Sequence, residues 1–426
     1  MMYAEFSSVN ENIPPELLEG IVKDILGNIK NRGRVMAVVP DITRMQSRAG
    51  DILKIVYENL KEKLSAVMPA LGTHLPMTED EIARMYPGVP SQKFKGHDWR
   101  HGIIELGRIP SSYVREVGQG VVDYDYPVQV NRSLVEEGAD IILSIGQVVP
   151  HEVVGMGNHA KNIFVGTGGK EAIDKSHFLG ACFGMEKIIG RINTPVRQVF
   201  NEALEVAKDK LPRIIWILTV VDRNNSGENV IKGLFAGDDL ECFYKAALFS
   251  QKVNITYLDE EVHKAIIWLD PHKYRSTWVA NKSIHHVRMA MADKGEMIVL
   301  APGLAQFGED RVIDSLIRKY GYRPYTEIKR LVGENEDLGT NLAAAAHLIH
   351  GSSEGRFEVT YAPGPGISRD EIERVGFNYL PLQDLLDTYD IRQMKEGWNI
   401  LSTSEKVFFV SDPSTGLWTS RERFHR

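Results

Sequence analysis

The chain is 426 residues long, 43% hydrophobic and 25% charged, which suits an ordinary globular protein of two or three domains and excludes general disorder or a fibrous repeat. A balance of 50 Lys and Arg against 57 Asp and Glu gives a net charge of -7, with no overall basic footprint for nucleic acid. Two cysteines, Cys182 and Cys242, are too few for a disulfide framework or a cysteine-built metal cluster and fit a reducing compartment.

No apolar run approaches the roughly 20 residues that span a bilayer. The opening stretch MMYAEFSSVNENIPPELLEG has neither the basic nor the apolar segment of a signal peptide. The expectation is a soluble cytoplasmic protein that acts on a small molecule, with no nucleic-acid or membrane partner.

In chain order, short apolar runs alternate with helical patterns. Strands are predicted at Arg34–Pro40, Leu64–Leu71, Asp140–Ile145, Arg213–Val221, Glu296–Pro302, Arg356–Ala362 and Lys406–Val410. Helices are predicted at Glu16–Ile29, Arg48–Lys63, Thr78–Tyr86, Val196–Asp209, Val279–Ala292 and Asp310–Tyr320. Thr78 with Glu81 three residues on reads as a capping box. Continuous apolar strands separated by helices predict an α/β protein built from mostly parallel sheets flanked by helices. The polar stretch YLDEEVHK (257–264) suggests a boundary, giving domains 1–260 and 261–426 with an active site in the cleft between them. In such sheets the working residues collect where strands end.

Four stretches could carry chemistry. PDITR (40–44) puts Asp41, Thr43 and Arg44 on one strand-to-helix turn, either a ligand-binding turn or a plain helix cap with a surface Arg. GTHLPMTEDE (72–81) holds His74, either a general acid/base or a solvated loop histidine. The stretch 144–180 sets His151, His159, Lys161 and His177 among many glycines, but matches neither GxGxxG nor a P-loop. His151-Glu152 fails as a zincin because Gly155 stands where HExxH needs its second His, and no GxSxG elbow occurs. Trp278 and Lys282, four apart, share a helix face, as a carboxylate site beside an aromatic wall or as a lysine lying over a packed Trp.

Together these stretches resemble the nickel-dependent lactate racemase family of 2-hydroxyacid racemases and epimerases. The resemblance runs through DITR, GTHLPMTEDE, GHDW (96–99), the His151, Lys161, His177 series and WVANK (278–282), with spacings of 10 and 16 residues in the series. It implies a nickel-pincer nucleotide, pyridinium-3,5-bisthiocarboxylic acid mononucleotide, tethered to Lys161 with His177 as nickel ligand. It further implies His74 and His151 as paired acid/bases, Asp41, Thr43 and Arg44 near the cofactor, and Arg44, Trp278 and Lys282 at the substrate. The reaction so implied is inversion of C2 of a 2-hydroxyacid by reversible hydride transfer to that nucleotide, with host cofactor-biosynthesis proteins as partners.

The sequence departs from the family at several points. Gly157-Asn158-His159-Ala160 stands where the tether loop usually has small residues, Leu75 follows His74, Val279 follows Trp278, and a distal Trp expected near 337–344 is absent. These departures point to a substrate larger than lactate, such as an aldonate. Lactate racemase proper, an inactive cofactor-binding homologue and a zinc hydrolase built on the histidines are the alternatives.

Overall fold

A computed structural model describes residues 1–29, 33–224 and 226–425. The chain divides into two compact units, Met1–Ser176 with Gly190–Asn254, and His177–Ile189 with Ile255–Arg426. Besides the division after Asn254, residues 177–189 belong to the second unit. A single cut at 260/261 does not describe that exchange, and it moves His177 out of the part to which the sequence assigned it.

The first unit is built on a six-stranded sheet in the order Met2–Ser7, Asn229–Gly237, Arg213–Arg223, Ile141–Gln147, Val35–Val39, Leu64–Pro69. The last four run parallel, and the first two join antiparallel at one edge. Val35–Val39 and Ile141–Gln147 are buried at every residue, as apolar strands with both faces covered must be. On one face lie the helices Pro15–Gly27 and Ala49–Leu60, which send Leu18, Val22, Ile25, Ile52, Leu53 and Val56 into a core with Ala37, Leu143 and Ile217. The helix Glu79–Met85 starts with the capping box read from sequence: Thr78 and Glu81 bond each other's backbone N–H.

The second unit has its own six-stranded sheet, in the order Asn378–Tyr379, Glu358–Pro363, Met291–Ala301, Val262–Trp268, Lys406–Val410, Gly397–Ile400. Only the Gly397–Ile400 edge is antiparallel. The predicted helix Val279–Ala292 is replaced by two short ones, Thr277–Ala280 and Lys282–Val287, after which Met291 already opens a strand. Every residue from Ser283 to Ala292 is buried, so the stretch carries no amphipathic stripe from which the helix's extent could be read. Among the described residues no helix is long and apolar enough to cross a membrane.

Candidate active site

The site begins where the Val35–Val39 strand ends. Asp41, 4% exposed, caps the 3₁₀ turn Ile42–Ser47, and its Oδ1 accepts from both the backbone and the hydroxyl of Thr43. Its Oδ2 faces His74 Nδ1 at 2.6 Å. Burial alone would raise this carboxyl, but the His74 imidazole, the Thr43 bonds and the Arg44 charge outweigh it and hold Asp41 at about 2. Asp41 therefore stays ionised and orients His74. Asp41 thus links the turn, through Oδ1 and Thr43, to the His74 loop, through Oδ2.

Arg44 has a partly buried side chain, and among the described residues its guanidinium forms no hydrogen bond or ion pair. An unengaged guanidinium beside an oriented imidazole is a ready carboxylate clamp. Its charge reaches Lys161. Burial first, and Arg44 second, lower the Lys161 amine against the smaller opposing pulls of Glu152 and Asp41, bringing it down to about 8. Asp41, Arg44, His74, Glu152 and Lys161 thus form one electrostatic cluster in the first unit.

The loop before Lys161 is held rigidly. Asn158 and His159 both have positive φ, +67° and +58°, an arrangement that costs non-glycine residues energy and persists only when overdetermined. Asn158 bonds the Gln147 carbonyl and the His159 N–H, while the His159 ring packs 3.9 Å from Trp216 and 5.2 Å from Phe243, centroid to centroid. Burial pushes the His159 imidazole well below its usual range, so it is neutral. Asn158 and His159 therefore fasten this loop to the core.

Arg197, fully buried on the helix Pro195–Ala207, donates to the carbonyls of Met156 and Asn158 and lies 4.0 Å over the Phe243 ring. Among the described residues its Nε and Nη1 have no hydrogen-bond partner. Sequence reading missed Arg197, which belongs to no motif with recognisable spacing, and weighed Glu152 only as part of a zincin pattern that fails.

After Lys161 the chain makes a π turn, closed by the Thr167 N–H on the Asn162 carbonyl at 3.0 Å, a geometry common at functional sites. Two glycines permit it. A Cβ at Gly166 would stand 2.6 Å from Ala70 Cβ, and one at Gly168 only 2.0 Å from the Phe164 carbonyl oxygen. His97 of the GHDW stretch bolts this loop down: its Nε2 meets the Gly168 carbonyl at 3.1 Å and Asn131 holds its Nδ1 at 3.0 Å. Burial lowers His97 to about 4 despite the Gly168 bond.

His151 ends the two-residue strand Pro150–His151, paired antiparallel with Gly155–Met156. It is 6% exposed, its Nδ1 receives the Val153 N–H at 3.1 Å, and Glu152 Oε2 lies 3.6 Å away.

The remaining predicted residues belong to the second unit. His177 stands half-buried on the helix Lys170–Phe183. Trp278 and Lys282 are half-buried in successive short helices, with the Trp278 ring 4.4 Å from that of His347. His347 Nε2 meets the Tyr322 hydroxyl at 3.0 Å, which donates to Thr277 Oγ1 at 2.6 Å, which donates to the Phe307 carbonyl. That chain fixes the wall against which Trp278 rests. Among the described residues no group of three or more His, Cys, Asp or Glu is arranged to hold a metal ion.

Residues 4–187, which contain the turn, the His74 loop, His151, Lys161 and His177, match the family model described as the lactate racemase N-terminal domain. That part of the chain is thus similar to the N-terminal domain of lactate racemases. Among solved structures, a protein from Thermotoga maritima determined as a structural-genomics target is similar at 22% identity, with a TM-score of 0.84 over 98% of this chain and 100% of that one. The lactate racemase apoprotein from Thermoanaerobacterium thermosaccharolyticum is similar at 16% identity, with a TM-score of 0.68 over 94% of this chain and 92% of that one. No curated protein matches the sequence. The structural likeness extends the shared fold beyond residue 187 into the second unit.

Proposed function

We propose that this chain is a racemase or epimerase that inverts C2 of a 2-hydroxyacid with a nickel-pincer nucleotide held by Lys161 and His177. The observation that carries the reading is the first-unit cluster: an amine lowered to about 8 beside an unengaged guanidinium and a carboxylate-oriented imidazole.

The residues fit the cofactor. An amine so lowered is partly neutral and nucleophilic near neutral pH, as a covalent tether to a thiocarboxyl group requires. A pincer nucleotide brings most of its metal's ligands with it, so one imidazole, His177, completes the set without a protein-built cluster. When bound, the group supplies an acceptor for the C2 hydrogen and its electron pair. The chain's own residues do the rest. Arg44, and Lys282 from the second unit, suit the substrate carboxylate. His74, oriented by Asp41, and His151 serve as the paired acid/bases for the hydroxyl proton, and Trp278 offers an apolar wall.

The substrate is larger than lactate, with an aldonate as the chemical class. Support for size now rests on Trp278, Val279 and the missing distal Trp, since Asn158 and His159 turn into the core. The test is a panel of lactate, malate, phenyllactate and aldonates, followed by chiral separation, with protein co-produced with the cofactor pathway. Inversion of aldonates is expected, turnover of lactate alone refutes the size assignment, and no inversion of any 2-hydroxyacid refutes the activity.

A further inference from the structure

The helix Lys170–Phe183 is shared between the units: through Ser176 it belongs to the first, and from His177 onward to the second. Its first half is fastened within the first unit. The Tyr124 hydroxyl donates to the Lys175 carbonyl at 2.6 Å, Lys175 Nζ donates to the Asp125 carbonyl at 2.7 Å, and Arg108 pairs with Glu171 at 3.2 Å. His177 is the first residue past that division, and what holds it there acts through the residues that follow, up to Ile189.

Gly184 ends the helix. Its φ of +102° suits glycine, and its N–H bonds the Gly180 and Ala181 carbonyls, both at 3.2 Å. The 3₁₀ turn Met185–Lys187 comes next, with Met185 buried and its carbonyl receiving the Ile188 and Ile189 N–H groups. This turn presents Glu186, whose Oε1 accepts from Arg356 Nη1 at 2.6 Å and from Arg288 Nε at 3.1 Å. Both arginines are fixed in the second unit. Arg288, 3% exposed, donates Nη1–H to the Ser352 carbonyl at 3.0 Å, and Arg356 donates from Nη2 to the Met291 carbonyl at 2.9 Å and from Nε to Asp293 Oδ1 at 3.1 Å. Burial opposes the Glu186 carboxylate, but the two guanidinium charges outweigh it and hold the carboxyl below its usual range. An exposed surface pair would contribute little; here, removing the carboxylate strands a buried cation.

We propose that Glu186 is a positioning residue, which by engaging Arg288 and Arg356 commits the segment 177–189, and with it His177, to the second unit. This rests on the reading above in which His177 is the nickel ligand and Lys161 the tether. Lys161 lies in the first unit, outside the segment that the latch holds, whereas His177 lies on it. The influence of Glu186 reaches His177 through the Met185–Lys187 turn and the last turns of the helix. Loss of the latch therefore separates two properties: nickel retention weakens while the covalent attachment stays.

Hydrogen exchange of the full-length protein without cofactor, followed by overlapping peptides, reads the latch itself. In Glu186→Gln the amides of 177–189 are expected to exchange about 10- to 100-fold faster than in wild type, while those of 170–176 keep their rates. Unchanged exchange over 177–189, or equal acceleration of 170–176 and 177–189, overturns the latch. Arg356→Gln leaves the Arg288 contact in place; it is the milder variant, expected to shift the same amides in the same direction, and it serves where Glu186→Gln does not fold. In protein co-produced with the cofactor pathway, Glu186→Gln is expected to keep the Lys161 adduct and to lose nickel to a chelator about 10- to 100-fold more readily. Nickel retention equal to that of wild type overturns the positioning role. The exchange measurement needs no cofactor, so its failure sinks the latch alone, whereas a loaded wild type without an adduct on Lys161 sinks the underlying reading.

Discussion

The amine of Lys161 offers the sharpest quantitative test. It falls from 10.5 to about 8, chiefly through burial and next through the Arg44 charge. At pH 8 about half of such an amine is neutral, against roughly 0.3% for an ordinary lysine. The assay is competitive acylation of the protein without cofactor across pH 6–11, with peptide mapping by mass spectrometry. The Lys161 peptide is expected to reach half-maximal reactivity near pH 8, about two pH units before surface lysines. Arg44→Gln removes a repulsive charge and moves that midpoint upward. The same depression carries a stability cost. The unfolded chain binds more protons between pH 8 and 10.5, so stability rises with pH across that window, and below it the charged lysine opposes folding by roughly 3 kcal/mol. Lys161→Met is therefore expected to stabilise the protein without cofactor by about 2–3 kcal/mol at pH 7 in urea unfolding. A labelling midpoint at pH 10 or above, or a destabilised Met variant, would refute the electrostatic account.

Three further outcomes follow from the loop around Lys161. His97 is lowered from 6.5 to about 4, so the unfolded state binds more protons in that range and stability falls as the pH drops from 6.5 to 4. The loss should be roughly 3 kcal/mol, and His97→Gln should flatten that part of the stability profile. Gly168→Ala sets a Cβ 2.0 Å from the Phe164 carbonyl oxygen, and a loss of about 2–4 kcal/mol in denaturant unfolding is expected, with none if the π turn is not formed. Arg197→Leu orphans the Met156 and Asn158 carbonyls, for which calorimetry should show a loss of about 2–4 kcal/mol, and the Lys161 labelling midpoint should rise as well.

Much of the architecture was legible because buried parallel strands announce themselves. Val35–Val39 and Lys406–Val410 read as apolar runs, and Thr78 with Glu81 marked a helix start. The antiparallel edge formed by Met2–Ser7 and Asn229–Gly237 was missed, since the first is partly exposed and the second interrupts its apolar residues with Asn229, Lys232 and Gly233. The Ser283–Ala292 stretch misled because complete burial erases the periodicity that separates helix from strand. At the site, motifs led to Asp41, His74, His151 and Lys161. What they could not give was direction: that Asp41 spends both oxygens on Thr43 and His74, that His159 turns into an aromatic core, and that the Val153 N–H meets His151 Nδ1. Those depend on contacts distant in sequence or on the hand of a tight turn.

The most direct measurement of the central claim is intact and peptide-level mass spectrometry, with metal analysis, on protein co-produced with the cofactor pathway. The account predicts one nucleotide-sized adduct per chain, mapped to Lys161, with one nickel lost in His177→Ala while the adduct remains. An unmodified Lys161 in protein that inverts a 2-hydroxyacid, or an adduct on another lysine, would contradict it.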